Sequence, residues 1–171
     1  MNAPAPLARQ RVLALLDHDA IVMKAALFGG ELVSPDVKLE NLTTCVGILA
    51  ASLASGDGWW TQDYLKRVFG LAAGWLMQLG ERHVQIAIHA ECERQEKLFP
   101  GNTCAVPEMC PRKKLRVLVE ELGEVAKAID QIEIAESRRS LALKEWRLEL
   151  RSEITQVAAV AVAWLESLEG K

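Results

Sequence analysis

The sequence predicts an all-α protein, and three observations carry that expectation. Between its breaks the chain is rich in Leu, Ala, Glu, Lys, Arg and Gln at helical spacing, residues that lose little on entering a helix. Of the 6 prolines, all but Pro35 fall near the start or between residues 100 and 111. No segment alternates apolar and polar residues with the period of two that a half-buried strand needs.

Helices are expected over roughly 6–28, 36–55, 60–79, 81–98, 112–134 and 138–168. "FGGELVSPD" separates the first pair, with Ser34 as a cap, Pro35 in the first turn and Asp36 beside it. "SGDGWW" separates the second pair. "FPGNTCAVPEMCP", from Phe99 to Pro111, is the longest loop, broken by its prolines and glycine. A faint internal echo runs across these elements. "LKRVFGLAAGWLMQLG" parallels "ITQVAAVAVAWLESLEG", with Val68 over Val157 and Trp75 over Trp164, and "LENLTTCVGIL" shadows "VEELGEVAKAI". Two buried helices of similar packing produce such an echo by chance, an account favoured here over a degenerate duplication whose first copy lost its acids.

A chain of 171 residues implies one domain, or one domain with a sizeable extension; the expected division is a helical region over 1–80 and a core over 81–171. Half the residues are apolar and a quarter charged, enough for a core without staples. The net charge of −3 leaves no basic footprint, so no nucleic-acid partner is expected. "MNAPAPLARQ" does not read as a secretory leader, and no apolar run reaches the ~18 residues of a membrane span. Cys45, Cys92, Cys104 and Cys110 follow neither a disulfide framework nor compact zinc-ligand spacing. These features point to a cytoplasmic protein without a membrane partner.

The chemistry lies in two acidic helices. In "LVEELGEVAKAID", Leu118, Leu122, Val125 and Ile129 form a buried stripe. At ~100° per residue, Glu120 and Glu124 lie within ~40° of each other, and Glu121 and Glu124 within ~60°. These glutamates border the stripe, and like charges so placed cost stability unless cations neutralise them. In "LKEWRLELRSEITQVAAVAVAWLESL", Glu145, Glu149 and Glu153 follow at four-residue steps, Gln156 continues the row, and an almost wholly apolar stretch comes next. Acids projecting from the end of a buried helix can hold a hard divalent cation between helices. They can equally be a solvated face laced with pairs to Lys144, Arg147 and Arg151.

The two motifs together resemble the MazG-like all-α nucleoside triphosphate pyrophosphohydrolases, whose pattern is Glu-x-x-Glu on one helix and Glu-x-x-Asp on the next. Glu121-Leu-Gly-Glu124 matches the first and Glu153-Ile-Thr-Gln156 stands where the second belongs. "AECERQEKLF" is similar to the helix that precedes the loop in a phage and actinobacterial branch. The resemblance covers roughly residues 83–168, and it departs from the family at Gln156, where an aspartate is usual. A lower metal count, compensation by Glu149 and a dead site are the three ways to read that departure.

The resemblance implies metal-dependent cleavage of a nucleoside triphosphate between the α and β phosphates, giving a monophosphate and pyrophosphate. Mg²⁺ or Mn²⁺ would be held by Glu121, Glu124 and Glu153, with Gln156 as a weaker neutral ligand. Glu120 or Glu149 would orient the attacking water or take its proton. Lys114, at the start of the acidic helix, Lys127 and Arg151 are candidates for phosphate; Gln95 and Phe99 are candidates for the base. Taken singly, Lys114, Arg151, Gln95 and Phe99 are more readily surface or packing residues, and Lys127 could equally pair with a glutamate. The expected role is nucleotide-pool housekeeping with a lean to purine deoxynucleotides, in a homo-oligomer such as a dimer or tetramer. A catalytically inert helical module that binds a nucleotide or a protein is the alternative, and Gln156 is the feature that supports it.

Overall fold

The computed structural model describes residues 33–56 and 59–169; the helix expected over 6–28 lies outside the described residues. The protein is all-α, with five helices and no strand among the described residues. They are α1 (Pro35–Ser55), α2 (Trp59–Gln78), α3 (Val84–Leu98), α4 (Pro111–Ser137) and α5 (Leu143–Glu169).

Local chemistry sets the boundaries. Ser34 caps α1 by accepting from the Val37 backbone N–H at 3.4 Å, with Pro35 in the first turn as expected. Gly80 ends α2 at a φ of +86°, where Glu81 N donates to Leu76 O and Gly80 N to Met77 O. That paired closure occupies residues 79–81, and the Glu81 carboxylate then accepts from His83 N at 2.9 Å. The third helix therefore starts at Val84, three residues later than the pattern suggested. Helix α4 closes the same way, Ser140 N donating to Ala135 O and Arg139 N to Glu136 O. Here Arg139, at a φ of +50°, takes the left-handed position usually given to glycine. Helix α5 consequently begins at Leu143, not at 138.

The long apolar stretch of α5 organises the packing. From Val157 to Leu165 every residue is buried, and α5 lies against α2, α3 and α4. A helix buried on all sides is the mark of a bundle centre. Helix α2 is its counterpart, buried continuously from Val68 to Leu76, and Trp75 and Trp164 are each only 1% exposed. Helix α1 closes the bundle against α2 and α4 through Leu42, Val46 and Leu49. By length and composition α1 is the described helix that could cross a membrane, yet those side chains make it a wall of the core.

Polar ties fix the ends. The buried Lys114 ammonium donates to Ser167 Oγ, which donates in turn to Trp164 O at 2.6 Å, joining the start of α4 to the end of α5. Buried Lys38 stands over the Trp75 ring at 5.6 Å. Arg151 of α5 pairs with Glu81 in the turn between α2 and α3.

The backbone at Arg139 supplies a direct check. A left-handed conformation costs a residue with a Cβ about 1–2 kcal/mol, so Arg139→Gly should raise stability by about 0.5–1 kcal/mol once the freer unfolded chain is counted. Urea denaturation measures it, and an unchanged or lower midpoint would contradict that conformation.

Candidate functional site

Three helices bring polar groups to one place. Helix α4 carries Glu120 and Glu124 on its exposed side and Glu121 half-buried beside Leu118 and Leu122. Helix α5 carries Glu149, Glu153 and Gln156. Glu153 is buried, only 8% exposed, because it sits one turn before the continuous core stretch. Helix α3 adds Glu91, Arg94 and Gln95, held against α5 by Ile88 and by the Cys92 thiol, which donates to Ala159 O at 3.7 Å.

A chain of hydrogen bonds joins α3 to α5. Arg94 donates from Nε and Nη2 to the two carboxylate oxygens of Glu91, at 2.6 and 2.7 Å, and from Nη2 to Gln156 Oε1 at 3.3 Å. Gln156 Nε2 passes the connection on, donating to Glu153 Oε2 at 2.7 Å. Gln95 Nε2 donates to Glu91 Oε1 at 3.0 Å, so Glu91 is gripped from two sides. An aspartate at 156 would have no N–H to give Glu153; the glutamine amide accepts from the cation and donates to the acid at once.

The electrostatics follow from burial and crowding. Burial, reinforced by Glu153, Glu120 and Glu91, pushes the Glu121 carboxyl up to about 7, with Arg94 pulling the other way. Burial also raises Glu153, helped by the charges of Glu149 and Glu124 and by a hydrogen bond with Glu149, while Lys127 opposes. Lys127 donates to Glu124 Oε2 at 2.8 Å on the exposed edge of the cluster. The carboxylates outnumber Arg94 and Lys127, so the cluster is an unbalanced negative site. Among the described residues, no three Asp, Glu, His or Cys side chains close on one point as a formed cation cage.

Beside the acids lies a cleft of about 310 Å³, bounded by Arg94, Gln95, Phe99, Asn102, Glu121 and Gln156. Phe99 is 54% exposed and presents its ring at the end of α3. Lys113 Nζ donates to Asn102 Oδ1 at 2.7 Å and ties the loop wall to α4. Cys104 also lines the cleft, and burial, with the nearby lysines opposing, raises its thiol to about 11. It is a neutral wall at physiological pH, not a nucleophile.

Most of the residues singled out in the sequence meet here. Glu120, Glu121, Gln156, Gln95 and Phe99 border the cleft, and Glu124, Glu149, Glu153 and Lys127 form the adjoining cluster. Two are engaged elsewhere: Lys114 is buried against Ser167, and Arg151 is paired with Glu81. Sequence reasoning passed over Glu91 and Arg94 as individual site residues. Their signal was the spacing Glu91-x-x-Arg94-Gln95, which places all three on one side of a helix. Comparison of the chain with protein-family models, curated proteins and solved structures gives no match.

A carboxyl with a higher pKa in the fold than in the unfolded chain favours the fold while protonated. For Glu121 that contribution is complete below about 4.5 and is lost as pH rises through about 7. Glu121→Gln should therefore stabilise the protein at pH 8 by on the order of 1–2 kcal/mol, several degrees in Tm, and give little gain at pH 4.5. Melting curves at the two pH values decide it; equal shifts would dissolve the electrostatic assignment.

Proposed function

We propose that this protein is a MazG-like nucleoside triphosphate pyrophosphohydrolase, cleaving between the α and β phosphates to release a nucleoside monophosphate and pyrophosphate. The observation that carries the reading is the meeting of Glu120 and Glu121 of α4 with Gln156 of α5 at a cleft whose other walls hold Arg94 and Phe99, with Glu153 one hydrogen bond behind Gln156. A solvated face would leave its acids apart and at ordinary pKa. Here Glu121 and Glu153 are partly or wholly withdrawn from water and are raised by each other or by their neighbours.

The donor set suits a hard divalent cation: carboxylate oxygens, crowded and under-neutralised, at a cleft with room for phosphates. Glu121, Glu124 and Glu153 would hold Mg²⁺ or Mn²⁺, which when bound supplies Lewis-acid charge to the phosphate oxygens. Gln156 has both ends of its amide in use, so its part is to brace Arg94 and Glu153. Arg94, clamped by Glu91, directs a fixed positive charge at the cleft, where charge develops on a leaving pyrophosphate. Glu120 borders the cleft and Glu149 is hydrogen-bonded to Glu153, so either is placed to orient the attacking water or receive its proton. Phe99 offers a ring face and Gln95 an amide oxygen to a base. The wider reading remains a cytoplasmic homo-oligomer acting on the nucleotide pool, with purine deoxynucleotides as preferred substrates.

One observation favours a second reading, an inert nucleotide-binding module. Arg94 and Gln156 together supply a fixed cation and a neutral bridge where the resembled family has another carboxylate. Turnover separates the two.

The deciding assay is pyrophosphate release against the eight common NTPs and dNTPs, with Mg²⁺ and with Mn²⁺. Selective release of pyrophosphate with the monophosphate is expected; silence from a folded, Mn²⁺-binding protein would leave the inert module. Glu124→Gln should cut turnover by at least about 100-fold while leaving the melting temperature near that of the parent. Gln156→Asp should tighten Mn²⁺ binding by about tenfold if the position faces the ion; an unchanged titration would confine residue 156 to bracing.

A further inference from the structure

The internal echo in the sequence acquires a physical basis in the fold. With Val68 over Val157 and Trp75 over Trp164, every buried side chain described in α2, from Thr61 to Leu76, lands on a buried residue of α5. The continuously buried stretches begin together, at Val68 and Val157. The α1–α4 half of the echo needs a correction of one helical turn. In the corrected pairing the buried residues of α1, Lys38, Leu42, Val46, Leu49 and Ser52, fall on Lys114, Leu118, Leu122, Val125 and Ala128, all buried in α4. Pro35 then stands over Pro111, each in the first turn of its helix.

Amphipathic helices can share an apolar period without further kinship, but buried lysines are rare and no hydrophobic pattern calls for them. Lys38 and Lys114 occupy matched positions, and each reaches from its helix to the far end of its hairpin partner, though the groups they meet differ. Lys38 stands over the Trp75 ring, and Lys114 reaches Ser167, which is bonded to the backbone of Trp164. Within the four helices the pairings are the same for both hairpins: α1 lies on α2 as α4 lies on α5, while α1 meets α4 and α2 meets α5; α3 breaks the equivalence by packing mainly on α5.

We propose that α1–α2 is a degenerate second copy of α4–α5, packed on it as the other half of the bundle. The face bearing Cys45, Ile48, Trp60 and Tyr64 is then the acid-free counterpart of the site. In this pairing Cys45 replaces Glu121, Ile48 replaces Glu124, Trp60 replaces Glu149 and Tyr64 replaces Glu153. The i,i+3 contact of Glu153 with Gln156 is answered by Arg67 over the Tyr64 ring at 5.3 Å. Exposure agrees at three of the four pairs: Cys45 and Glu121 are half-buried, and Ile48, Glu124, Trp60 and Glu149 are exposed, whereas Tyr64 is half-buried and Glu153 buried. Each chain thus carries one acid site beside one acid-free counterpart.

The test uses cysteine pairs in the full-length chain, with the native cysteines first replaced by serine. Under mild oxidation Ile48→Cys/Tyr64→Cys should close within one chain at a rate within about threefold of Glu124→Cys/Glu153→Cys. Thr44→Cys/Tyr64→Cys, the pairing implied by the uncorrected echo, should close at least about tenfold more slowly. Closure of only one of the first two pairs, or of neither, would overturn the proposal, and so would faster closure of the third. Monomer-sized products are expected; closure only between chains would also overturn it.

Discussion

The burial of α5 from Val157 to Leu165 is the constraint on which the rest depends. Valine and alanine fill most of that stretch, and the small side chains let α2, α3 and α4 come close on different sides. Each larger apolar side chain so enclosed contributes about 1.5–3 kcal/mol, and α5 gathers them on every face. The acids belong to the same helix. Because Glu153 lies one turn before Val157, fixing the core fixes the carboxylates at its edge and withdraws Glu153 from water.

Such a placement opposes stability, and the surroundings partly answer it. Arg94 is in electrostatic reach of Glu121 and Glu153 and is itself clamped on Glu91, while Lys127 offsets the exposed edge through Glu124. The compensation is incomplete, which is why protons are held more tightly at Glu121 and Glu153 than in free glutamate. Unneutralised negative charge is thus kept beside the cleft.

The helices and the two acid rows were legible because both rest on a period of 3.6, which the sequence displays directly. Helix ends were less so. The turn at Gly80 displaces the start of α3, and Arg139 gives no glycine signal for the turn that delays α5. Basic residues were the least legible, since a positive charge in a sequence does not name its partner. Lys114 looked like a phosphate ligand and is buried against Ser167, whereas Arg94 went unnamed and bridges α3 to α5. The echo between the hairpins showed in α2 and α5, where matched tryptophans anchor it. In α1 and α4 a run of similar letters pulled the alignment one turn away from the pairing of Lys38 with Lys114.

The unbroken course of α5 has a consequence for variation in length. One residue inserted between Glu153 and Val157 would swing the acids by ~100° relative to the core stretch, and one deleted would swing them as far the other way. Substitutions in this segment can be graded, but a change in residue number cannot, because no turn lies between core and carboxylates to absorb it. Tolerance for insertions and deletions should therefore concentrate at residues 138–142, ahead of the start of α5.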